Sequence, residues 1–133
     1  MQDYWMSKMP EHVYECDNEE YPALKKVLEY DPYLDKTLDD AALKKLSGDK
    51  YANAIFTRQE YSIRDGISVG LDKNKYYLYL KANEDFLKLA EERFSKEFKT
   101  VKRSGKESED KIIAIIHDEE SRANQGFGAI FGG

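Results

Sequence analysis

The run Lys75-Tyr76-Tyr77-Leu78-Tyr79-Leu80-Lys81 holds the residue types best suited to grip a ligand. In extended backbone, successive side chains point to opposite faces. Tyr76, Leu78 and Leu80 then share one face, and Lys75, Tyr77, Tyr79 and Lys81 share the other. The first set is core material. The second is two aromatic rings framed by two ammonium groups. That chemistry suits single-stranded nucleic acid, because bases stack on rings and lysines meet phosphates. Lys102 and Arg103 belong to the same basic stretch and extend the candidate nucleic-acid site. The same pattern is also ordinary strand chemistry, since tyrosine favours strands and lysine guards edges against pairing.

A different chemistry stands in NQGFGAIFGG, Asn124 to Gly133. Residues 126–133 read as a glycine-rich apolar tail, with Gly126 as the cap of a last helix. Phe127, Ile130 and Phe131 then fold back onto the body or onto another molecule. Burying one phenylalanine is worth about 1.5–3 kcal/mol, enough to pin a short segment. These three residues are the candidate partner-binding site, for an unknown protein partner or for self-association.

Two family patterns bear on the tail. The stretch from Gly126 to Gly132 resembles the RNA-recognition signature in outline. However, Gln125 stands where a basic residue is needed, and Ala129 and Gly132 replace aromatics. The pair Gly132-Gly133 resembles the end of ubiquitin-like sulfur carriers, whose last carboxylate is activated as an adenylate. That resemblance implies a carrier or modifier. Bulky Phe131 and the helices ahead of the first hairpin depart from the family's β-grasp pattern.

Acid–base and metal chemistry find little purchase. His12 and Cys16 are four apart, but two ligands make no metal site. His117 stands beside Asp118, Glu119 and Glu120 with no identifiable nucleophile paired to it. The acid pairs Asp39-Asp40 and Glu119-Glu120 lack calcium-loop spacing. No phosphate-binding glycine loop occurs. The expectation is a non-catalytic protein with no cofactor and no metal.

Stepping from residues to totals, 133 residues fit one domain, 1–133, with 35% charged and 41% apolar residues. No apolar run approaches the ~20 residues of a membrane span. The opening MQDYWMSKMP carries Asp3 and is not a signal peptide. One cysteine forms no internal disulfide, which points to a cytoplasmic setting. Abundant lysine and glutamate give a thermophile-like composition. The net charge of −5 is uneven. Residues 1–49 hold 12 acids and 6 bases, residues 50–106 hold 8 and 13, and residues 107–133 hold 6 and 2.

These residues need elements to position them. His12 to Cys16 reads as a short strand. Tyr21 to Pro32 reads as a helix opened by Pro22, with Leu24, Val27 and Leu28 on one face. A second helix starts at Thr37, with Asp40 as its capping partner, and stops at Gly48. Residues 54–82 read as a three-stranded meander. Its strands are Ala54 to Ile63, Ile67 to Leu71 and Lys75 to Lys81, with a tight turn at Asp65-Gly66. Asn83 caps a helix to Phe98 that aligns Phe86, Ala90, Phe94 and Phe98. A short strand follows at Lys99 to Arg103. The four isoleucines of Lys111 to His117 fit either a strand or a helix, and acids before them favour a helix from about Ser108 to Gln125. The fold class is α+β: an antiparallel sheet of three to five strands with helices packed on one face.

Overall fold

The computed structural model describes residues 9–49 and 54–131, without the side chains of 125–131. Four strands form one antiparallel sheet in the order β2-β3-β1-β4. They are β1 (Glu11–Asp17), β2 (Glu60–Asp65), β3 (Lys75–Lys81) and β4 (Lys102–Arg103). The helices are α1 (Tyr21–Glu29), α2 (Asp40–Ser47), α3 (Glu84–Glu97) and α4 (Lys106–Phe131). The expected α+β class holds.

The pairing follows from alternation. Tyr14 faces Leu78 and Val13 faces Tyr79 across the β1–β3 ladder, while Ile63 faces Leu78 across β2–β3. Even-numbered residues of β1 and β3 point to one side, where Tyr14, Cys16, Leu78 and Leu80 meet Leu24 and Leu28 of α1 and Leu87, Ala90 and Phe94 of α3. Asn83 opens α3 by accepting the Phe86 N–H at 2.8 Å. Phe94 packs edge-on against Tyr14 at 5.3 Å and stacks with Phe56 at 5.5 Å. Each such buried side chain contributes about 1.5–3 kcal/mol.

The helices do not keep to that one face. Val13, Tyr77 and Tyr79 form a second core with Ile112 and Ile116 of α4. The reason is that Val13 at the centre of β1 and Tyr77 and Tyr79 at the centre of β3 put apolar surface on the second face too, which needs its own covering layer. The isoleucine run is therefore helical, as favoured, and one side of it lies on the sheet.

The meander also differs. Residues 67–71 form turns instead of a middle strand, and residues 54–59 contain a short 3-10 helix. The place beside β3 goes to β1, some sixty residues earlier in the chain. Gly66 donates to the Lys75 carbonyl at 2.9 Å and accepts from Leu71 at 2.8 Å, closing the loop on itself. A Cβ at Gly66 would stand 1.7 Å from the Asp72 carbonyl oxygen, so only glycine fits. Gly70 takes φ +70, which ends any strand pattern there. Val69 still reaches the second core.

Two boundaries move. Asp39, not Thr37, caps α2 by accepting the Ala42 N–H at 2.8 Å, while Thr37 turns back to the Asp35 carboxylate. A carboxylate is the stronger acceptor for a helix N–H. Helix α4 continues through Gly126 and Gly128 to Phe131 instead of stopping at a cap. Each glycine costs about 1 kcal/mol relative to alanine in a helix, which does not by itself break the hydrogen-bond ladder.

Candidate functional site: the outer sheet face and the last helix

On β3, the alternation read from the sequence is present, and Tyr77 and Tyr79 do share a face. That face lies under α4. Tyr77 is 3% exposed and Tyr79 2% exposed, so neither ring is open to a base. The Tyr77 hydroxyl accepts the Asp72 N–H at 3.3 Å. Burial, then the Glu11 carboxylate, pushes the Tyr79 phenol well above its usual range. The flanking cations are partly neutralised. Lys75 pairs with Glu15, and that hydrogen bond raises its pKa. Arg103 donates to Glu109 at 2.9 and 3.2 Å. Lys81 is half-buried, and Lys102 is exposed at the far edge of the sheet. The six residues of the nucleic-acid site are thus divided among a core, two ion pairs and an edge.

The other candidate residues, Phe127, Ile130 and Phe131, fall in the backbone of the last turns of α4, and their side chains lie outside the described residues. Gly132 and Gly133 also lie outside them. What precedes them is informative. Helix α4 starts next to β4, where Arg103 holds Glu109. Lys111 donates to the Gly70 carbonyl at 3.2 Å, in the loop that joins β2 to β3, and six residues on His117 Nε2 sits 2.8 and 2.9 Å from the carboxylate oxygens of Glu11, at the other end of the sheet. The helix reaches β2, where Arg64 grips Glu119 in a two-bond fork at 2.7 and 2.8 Å. That fork also holds the Glu119 carboxyl below its ordinary pKa. Every residue from His117 to Asn124 is exposed. The helix then continues for about 18 Å beyond Glu119 to Phe131.

On the opposite side of the sheet, a cleft of about 310 Å³ opens between β4 and α3, lined by Tyr14, Glu91, Phe94 and Phe98. A second cleft of about 280 Å³ shares Glu91 and contains His12. Sequence reasoning paired His12 with Cys16. Its near neighbour is instead Tyr14, whose hydroxyl is 3.3 Å from Nδ1. The two-residue spacing on a strand was the available signal, since such residues share a face. Burial, reinforced by Arg103, lowers the His12 pKa. Burial and then Glu91 push the Tyr14 phenol well up. At neutral pH this is an uncharged imidazole beside a protonated phenol, suited to hydrogen bonding more than to proton transfer. Cys16 is buried, and burial first pushes its thiol up to about 11, far from the range of a reactive thiolate. Among the described residues, no group of three or more His, Cys, Asp or Glu side chains could hold a metal ion. Nor is any described helix long and apolar enough to cross a membrane.

No protein-family model, curated protein or solved structure matches the chain. The functional reading therefore rests on the geometry.

Proposed function

We propose that the protein is a non-catalytic association module of the cytoplasm, and that the outer part of α4, ending in Phe127, Ile130 and Phe131, is its contact element. The observation that carries this reading is the helix that runs on beyond its last clasp to the sheet, exposed from His117 to Asn124. A helix of that length, with glycines at 126 and 128, is not sustained by propensity alone. Contact with another protein supplies that support. The spacing of 127, 130 and 131 is the i, i+3, i+4 pattern by which helices enter apolar grooves. The occupant of that contact is a folded protein surface with an apolar groove. Nucleic acid has less support, because the two stacking tyrosines are covered.

A photo-crosslinking residue in place of Ala123 tests the reading in the full chain. The expected result is a discrete protein adduct that Phe127→Asp with Phe131→Asp abolishes while leaving the thermal melt unchanged. Adducts indifferent to those substitutions would overturn it. So would a double variant that unfolds, because the two rings would then belong to the protein's own core.

A further inference from the structure

Strand β2 is an outer member of the sheet. The Gly66 N–H bond to the Lys75 carbonyl fixes the phase of the β2–β3 ladder. Residues 60, 62 and 64 turn their backbone groups toward β3, and residues 61, 63 and 65 turn theirs outward. Among the described residues, no backbone group pairs with the outward N–H and C=O of Tyr61 or Ile63. The strand has neither the lysine nor the proline that commonly protects an edge, and it reads Glu-Tyr-Ser-Ile-Arg-Asp.

That sequence is complementary to itself. With Ser62 opposite Ser62 in an antiparallel pair, Tyr61 and Ile63 of one copy bond Ile63 and Tyr61 of the other through the outward groups. An aromatic then sits across from a β-branched residue, a favourable cross-strand pair. On the other face, Glu60 meets Arg64 twice. Moving the register by one residue in each chain breaks this: Ile63 opposite Ile63 sets Tyr61 against Asp65 and Glu60 against Gly66.

We infer that two copies of this chain pair through β2 in the Ser62-centred register, joining two four-stranded sheets into one of eight. The pairing is two-fold symmetric, so the same patch serves both subunits. Both α4 helices lie on the same face of the joined sheet. Arg64, which clasps Glu119, is two residues or about 7 Å along the strand from Ser62. This inference stands on the β2 edge and not on the identity of the groove proposed above.

The test uses the full chain. Sedimentation velocity across a concentration series should reveal a dimer. Glu60→Arg alone and Arg64→Glu alone each place like charges opposite one another at both contacts, and each should weaken the dimer by about tenfold or more. Mixing the two variants should restore it, because every contact is then between opposite charges. Ser62→Cys should form a disulfide-linked dimer with diamide, since directly opposed residues of a non-hydrogen-bonded pair have Cα atoms about 4.5 Å apart. Buried Cys16 leaves the background low. A monomer at every concentration overturns the inference. So does a dimer that ignores the charge swap and fails to link at residue 62. If that dimer is lost in the Phe127→Asp and Phe131→Asp variant, the α4 reading survives without this one.

Discussion

Glu20 joins parts of the chain eighty residues apart. Its carboxylate accepts the N–H of Lys99 at 2.8 Å, the N–H of Thr100 at 2.7 Å and the Thr100 hydroxyl at 2.5 Å. Burial opposes ionisation here, but these hydrogen bonds outweigh it and hold the carboxyl below its ordinary pKa. A depressed folded pKa gives stability that is present above the unfolded value of about 4.3 and is lost as pH falls through the folded value. Glu20→Gln should therefore lower the unfolding free energy measured in urea at pH 7 by about 1 kcal/mol. The gap from wild type should close in acid below the ordinary glutamate range. A gap independent of pH would mean the charge is irrelevant. Tyr79 makes the opposite kind of point. Tyr79→Ala should cost about 3–5 kcal/mol of stability, read by chemical denaturation, because a ring 2% exposed leaves a cavity when removed. The two-residue alternation that placed Tyr77 and Tyr79 together was legible in sequence. Their burial was not, because alternation says which side chains share a face and nothing about what covers it.

Elements were legible where caps and periodicity agreed. Asn83 and the Phe86, Ala90, Phe94 series define α3, and Pro22 with Leu24 and Leu28 define α1. The stretch 67–71 misled because Ile67, Val69 and Leu71 alternate as a strand would. Gly66 and Gly70 instead fold it into turns, leaving Ile67 72% exposed. The true neighbour of β3 is distant in sequence, and local pattern carries no information about such pairing. Gly66→Ala checks the close approach to Asp72. Its Cβ cannot be accommodated without moving backbone, so a loss of about 1–3 kcal/mol is expected in the denaturation midpoint. The Arg64–Glu119 clasp belongs at this scale too, because it ties α4 to β2. Its side chains are 27% and 49% exposed, so a double-mutant cycle should return a coupling of only about 0.5–1 kcal/mol, shrinking with added salt.

For the whole molecule, the sheet is covered by two different layers. Helices α1 and α3 enclose one face around Phe94 and Leu80, and α4 covers the other through Ile112 and Ile116, with Val69 beside them. The second layer was the least legible feature, since four isoleucines fit a central strand as well as a helix lying on one. A chain cut after residue 125 should keep its circular dichroism melt within a few degrees, because the last described buried residue of α4 is Ile116, and should lose the α4-dependent protein adduct while keeping the β2-paired dimer. The arrangement also has a consequence for biosynthesis. Translation delivers all four strands before α4, so Val13, Tyr77 and Tyr79 can be paired into a sheet while their covering helix is still inside the ribosome. For that interval the nascent protein presents an apolar surface with an unpaired strand beside it, the kind of surface that chaperones bind and that neighbouring nascent chains on a polysome can join.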